Sequence, residues 1–290
     1  MTKSKDIIII YLLILVEILI LSNSKIVISN IIFSSQLFIS KIFPSMFPTM
    51  VIGLMLIRLN FYKIIPTFIN KIFKKIFNFN NIHTSIFLSS IICGVPNNAV
   101  FINEYLNKGL ISEKEAESLL CATHFINPLF IIYGVGIGLF NNTKVGLLII
   151  ITMLISNLIK LRILKKNFNS ADIYLQNEFF YSLSTFFTTI KTSINSILNI
   201  FAVVVIFNIL IALISNIFNF SNLTNTIINL ILEVTSGINK INSLYINNAF
   251  KFILAYFGLS FGGLSICLQT LFMVDNKKIK HLKYFIFRLF

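Results

Sequence analysis

Tryptophan is absent from this chain and acid is scarce: ten Asp and Glu stand among 290 residues, against 24 Lys and Arg. Charged residues of both signs reach only 12%. That is too little polar surface to coat a soluble globule of this length, which excludes the soluble classes. Cysteine is equally sparse. Cys93, Cys121 and Cys267 stand far apart in or beside apolar stretches, so no CxxC pair or disulfide framework is available. No Ser, His and Asp arrangement, no GK[ST] phosphate loop and no paired carboxylates inside an apolar run occur, so neither an enzyme nor ATP-driven transport by this chain alone is expected. GVGIG from Gly134 lacks the polar ribose-binding residue of a dinucleotide fingerprint, and its glycines read as close helix packing. No second His or carboxylate stands at metal-ligand spacing from His124. Neither a metal nor a cofactor is expected.

What is present is apolar: 56% of residues are hydrophobic and the mean hydropathy is +0.87. Runs near Ile7–Leu21, Met50–Ile57, Leu147–Ile159, Ile200–Ile214 and Phe252–Val274 are continuous rather than alternating, which predicts an all-α polytopic membrane protein and not a barrel. The net charge of +14 would point to nucleic acid in a soluble protein. Here the cations sit at the ends of apolar runs, so the expected partner is the bilayer and not nucleic acid. Lys3 and Lys5, Arg58 to Lys75, Lys160 to Lys166 and Lys277 to Arg288 form four clusters. The positive-inside rule puts each on the cytoplasmic face of a bacterial cell membrane, both termini included. The first segment looks like a secretory signal, but Glu17 inside its apolar centre and the charge pattern downstream favour a retained helix.

Several apolar segments are too short to cross a core roughly 30 Å thick at about 1.5 Å per residue. Thr84–Cys93 is interrupted by GVPNN, and Leu129–Phe140 starts straight after Pro128. In the second half, LILEVTSG ends one apolar run and FGLSFGGLSICLQT breaks another at Gly258, Gly262 and Gly263. The order repeats: an apolar helix, a broken segment, then a second interrupted one. Two structurally related halves with broken or re-entrant helices are therefore expected. They divide as a first transmembrane helix over 1–25, one half over 26–164, a polar linker over 165–180 and the other half over 181–290. If the second and third basic clusters share a face, the region from His83 to Phe140 crosses an odd number of times. One of its two apolar parts is then re-entrant, and Asn103 to Glu117 is expected at the outer face.

From about Phe43 onward, CGVPNNA, LISEKEAESLLCATHFINPLFIIYGVGIGLF, LEVTSGI, SFGGLSICLQT and the closing YFIFRLF stand in an order that resembles the YlbJ-type sporulation integral membrane proteins, which carry a nucleoside-recognition (Gate) domain. The chain departs from that pattern at Cys93, Asn98, Val100, His124 and Asn127. The resemblance implies a carrier-like scaffold acting on a small polar solute, a nucleoside-like one among the possibilities. Short, Gly/Pro-interrupted segments at corresponding places of two halves point the same way, to a midplane site. Its expected residues are Gly94, Pro96, Asn97, Asn98, His124, Asn127, Glu233, Thr235, Ser236, Gly237, Ser260, Gly262, Gly263 and Gln269.

Plainer readings stand beside these. GVPNN also fits a turn at a membrane face. His124 fits a proton relay or ligand contact, and equally a hydrogen bond tying a broken helix to its neighbour. Glu233 interrupts an apolar run and fits a cavity, a cation or a helix end. SEKEAES reads as a solvated helix start capped by Ser112. Two functions stay open, a carrier and a non-transporting scaffold for spore envelope assembly. Intact breaks with polar contacts favour the carrier, and a site plugged by Phe and Ile favours the scaffold. The sequence does not set the oligomeric state.

Overall fold

A computed structural model describes residues 2–173, 182–274, 279 and 281–288, and all regular elements among them are helices. Residues 174–180 of the expected linker and Lys277 and Lys278 of the last basic cluster lie outside the described residues. In chain order the helices are α1 (Thr2–Ser22), α2 (Ser24–Arg58), α3 (Thr67–Phe77), α4 (Asn81–Cys93), α5 (Asn97–Asn107), α6 (Glu113–Ala122) and α7 (Phe130–Phe140). They continue as α8 (Thr143–Asn167), α9 (Leu183–Phe218), α10 (Asn222–Leu232), α11 (Val234–Ile241), α12 (Asn248–Phe261), α13 (Gly263–Met273) and α14 (His281–Ile286).

Among the described residues, four helices are long and apolar enough to cross a membrane: α2, α8, α9 and the α12–α13 pair. Their apolar side chains face outward as well as inward; Ile151, Ile155 and Ile206 are each more than half exposed. In water that would be costly, and against lipid it is favourable. The chain is a membrane protein built from helices. Pro48 lies inside α2, where it removes a backbone donor, and hydroxyls take up neighbouring carbonyls: Ser45 Oγ donates to Lys41 O at 2.6 Å and Thr49 Oγ1 to Met46 O at 2.9 Å.

Side-chain contacts define two ends of the bundle. At one, Arg58 bonds Glu104 at 2.8 Å and Thr189 at 3.2 Å, Lys74 pairs with Asp172 at 2.9 Å, Lys165 Nζ donates to Lys75 O at 3.1 Å, and Lys283 pairs with Glu117 at 3.0 Å. At the other, Asn216 meets Asn23 at 3.1 Å, Ser215 and Lys240 both reach Asn225, and Asn242 reaches Gly138 O at 3.4 Å. The first end carries most of the cations. α2 and α9 run antiparallel between the ends, with Asn208 Nδ2 donating to Ser34 Oγ at 2.9 Å midway. α3 lies at the basic end with Phe68 and Ile72 exposed beside Lys71, Lys74 and Lys75, the pattern of a helix lying in the interface.

The short helices explain the parity of the crossings. α4 leaves the basic end at Asn80, turns at Gly94–Pro96, and α5 returns to the same end at Glu104 and Lys108. This hairpin does not cross. α6 and α7 together form a crossing broken at Thr123–Pro128, from Ser112 at the basic end to Gly138 at the far end. α10 and α11 make a second hairpin, this time from the far end, where Lys240 meets Asn225, and α12–α13 is a second broken crossing. The expected outer position of Asn103–Glu117 is corrected here: because α4 and α5 turn back, Glu104 and Glu115 lie at the basic end with Arg58 and Asn169.

A candidate solute site at four helix breaks

Each break is set by local chemistry. α4 ends at Gly94, whose φ of +71° is a left-handed conformation, and a Cβ there would stand 2.5 Å from Asn127 N. The extended segment beside it bonds the second break directly, with Val95 N donating to Phe125 O at 2.6 Å. α10 stops at Glu233, whose extended backbone lets its carboxylate cap α11: it accepts from Thr235 N at 3.2 Å, Thr235 Oγ1 at 2.7 Å and Ser236 N at 2.6 Å. A buried acid is tolerated because these donors and the positive end of α11 surround it. The fourth break, Gly262–Gly263, has positive φ at both residues. A Cβ on Gly262 would stand 2.7 Å from the His124 ring, and one on Gly263 would stand 3.0 Å from Val234 N. All four breaks therefore touch at one place in the interior.

Two cavities flank that contact. The first joins Pro96 and Asn127 to Glu233, Thr235 and Gln269, with walls of Ile42, Met46, Phe130, Ile200, Val204 and Ile266. Its volume is about 30 Å³, room for a water or two. Asn127 is held from both sides: Nδ2 donates to Thr49 Oγ1 at 3.0 Å and Cys93 O at 3.3 Å, and Oδ1 accepts from Leu129 N at 2.9 Å. Gln269 is the exception. It is 4% exposed, and neither end of its amide has a hydrogen-bond partner. The second cavity, about 370 Å³, lies between α8 and α12 and contains His124 and Ser260 beside Asn157, Lys160 and Arg288.

The expected site residues thus divide. Pro96, Asn127, Glu233, Thr235 and Gln269 share the first cavity, and His124 and Ser260 share the second. Asn97 and Asn98 were expected to face Glu233, and they do not: they open α5, where Asn97 Nδ2 donates to Cys93 O at 3.1 Å and Asn98 Nδ2 to Thr123 Oγ1 at 3.0 Å. Their amides stitch the hairpin tip to the second break, so the first break is Gly94–Pro96 alone. The third break is likewise Glu233 alone, because Thr235, Ser236 and Gly237 are already helical; Ser236 Oγ bonds Asn229 Oδ1 at 3.2 Å, and Gly237 packs on Leu230. Thr49 and Asn157 escaped the sequence reading. Asn157 Nδ2 donates to His124 O at 2.8 Å, and its only signal was an amide inside the run LISNLIK.

At the start of the α6–α7 crossing, Ser112 caps α6 as expected, but Glu115 is buried rather than solvated. His83 Nδ1 accepts from Asn80 N, which leaves Nε2 to carry the proton that faces Glu115 Oε1 at 3.3 Å. Among the described residues no three His, Cys, Asp or Glu side chains are grouped as metal ligands.

Among known proteins the chain is similar to the sporulation integral membrane protein YlbJ of Bacillus subtilis (strain 168), 26% identical over 117 residues. That match covers 40% of this chain and 29% of the relative, so it spans under a third of the relative's length. No family model and no solved structure matches the chain.

Proposed function

We propose that this chain is a carrier-like membrane protein of sporulating cells that binds a small polar solute, a nucleoside-like molecule being the first to test, between its two re-entrant hairpins. The observation that carries the proposal is Gln269: a buried amide with no hydrogen-bond partner at either end, lining one small cavity with Asn127, Thr235 and Glu233. An unsatisfied buried polar group costs about 1 to 3 kcal/mol, and a glutamine carries two such groups. A bound solute with donors and acceptors removes that cost. The hairpins enter from opposite ends and each precedes a broken crossing, the arrangement that an inverted pair of related halves produces around a midplane site. The similarity to a sporulation integral membrane protein supports the cellular setting. At about 30 Å³ the cavity is too small for such a solute, so one enters only when the hairpins part at Gly94 and Glu233.

The same small volume and the wall of Ile42, Phe130 and Ile200 favour a second reading, a scaffold whose broken helices are structural. A thermal-shift screen of nucleosides and other small polar solutes on the purified protein separates the two, because a ligand of the folded state raises its apparent stability. The carrier proposal expects at least one solute to raise the melting temperature of the wild type, and Gln269→Leu to abolish that rise while leaving the unliganded protein equally or more stable. No shift with any solute, together with normal sporulation in cells carrying Gln269→Leu, overturns it in favour of the scaffold.

A further inference from the structure

The second cavity holds more charge than the fold requires. Lys160 and Arg288 are 7% and 2% exposed, and among the described residues no acidic side chain lines the cavity. Glu117, the acid one turn before Cys121 on α6, pairs with Lys283 instead. Arg288 donates one Nη2 bond to Cys121 O and stacks over Tyr284 at 5.1 Å, but its Nε and Nη1 have no hydrogen-bond partner. Among the described residues Lys160 makes no hydrogen bond or ion pair. A buried cation without a counter-ion costs several kcal/mol even after relaxation. A cavity of about 370 Å³ that gathers two basic side chains and a buried His124, with no acid beside them among the described residues, has the donor composition of an anion site.

We propose that this cavity binds a phosphate group. The unpaired Nε and Nη1 of Arg288 leave guanidinium donors free for phosphate oxygens, and Lys160 adds a second basic group. The rest of the wall decides what the phosphate is attached to. Phe252, Ile253, Tyr256 and Phe257 continue the cavity along the outward face of α12, where Ile253 is 58% and Phe257 46% exposed. On a spanning helix that face meets lipid, so a phosphate with an apolar tail fits both parts. Basic pockets between spanning helices near the positively charged end are the usual seats of anionic lipid headgroups. The site shares no polar residue with the Gln269 cavity, and stands whether or not that cavity binds a solute.

The test uses the full chain in a neutral detergent with three probes: phosphatidylglycerol, phosphatidylcholine and inorganic phosphate. Phosphatidylglycerol is expected to raise the melting temperature, with Lys160→Gln weakening its apparent affinity about tenfold or more and Lys160→Arg restoring it. Inorganic phosphate acting as strongly as the lipid would keep the phosphate site and assign it to a free solute. Arg288 also supports Cys121 O, so native mass spectrometry of the bound lipid, rather than stability, reads Arg288→Gln. Equal shifts from phosphatidylglycerol and phosphatidylcholine with none from phosphate, or no difference between wild type and Lys160→Gln, would overturn the proposal.

Discussion

At the scale of single residues, glycines and amides decide what the breaks can be. Gly262 sits at φ +84° with the His124 ring where a Cβ would go, so Gly262→Ala meets both backbone strain and a clash. Each is worth about 1 kcal/mol or more, and the expected loss is about 2 to 4 kcal/mol, read as a lower melting temperature. Gly109, at φ +68° with open space around it, gives the control: Gly109→Ala meets strain without a clash and is expected to lose about 1 kcal/mol. Equal losses at both sites would mean that the His124 contact is not formed.

At the scale of elements, the sequence was most legible where chemistry leaves few alternatives. Continuous apolar runs such as Leu147–Ile159 could only become spanning helices, and Gly94 and Pro96 could only stop one. Ser112 announced a helix cap. What stayed illegible was direction. An eleven-residue helix after GVP can cross onward or turn back with equal local propensity, and only the Arg58–Glu104 pair, 46 positions apart, shows that α5 returns. The amides of Asn97 and Asn98 were conspicuous in the sequence, yet what they face depends on the turn that precedes them. Lys160 and Arg288 read as topology markers because a basic residue near the end of an apolar run has that look whether it points to water or into a cavity. The Arg58–Glu104 pair itself is testable: Glu104→Gln is expected to destabilise by about 1 kcal/mol or less, since both side chains are about one-fifth exposed, while Arg58→Ala also strips the bonds to Thr189 and Thr192 and is expected to cost more.

At the scale of the whole molecule, the two hairpins and the charge distribution make one claim about orientation. The end that holds Arg58, Lys63, Lys74, Lys108, Lys165 and Lys283 carries the surplus of cations, so the positive-inside rule predicts that it faces the cytoplasm. The re-entrant geometry of α4 and α5 then requires Lys63 and Lys108 to share that side, although two apolar helical segments lie between them. Single cysteines placed at Lys63, Lys108, Asn219 and Asn247 and labelled in intact cells with a membrane-impermeant maleimide test both statements, since Cys93, Cys121 and Cys267 are buried and should stay silent. The expected result is labelling of Asn219→Cys and Asn247→Cys, and labelling of Lys63→Cys and Lys108→Cys only after permeabilisation. Asn219 and Asn247 sharing a side is the matching requirement of the α10–α11 hairpin, which starts and ends at the far end. Lys108→Cys reacting from outside while Lys63→Cys does not would mean that α4 and α5 cross, and the convergence of the four breaks, on which the solute cavity depends, would be lost with the hairpin.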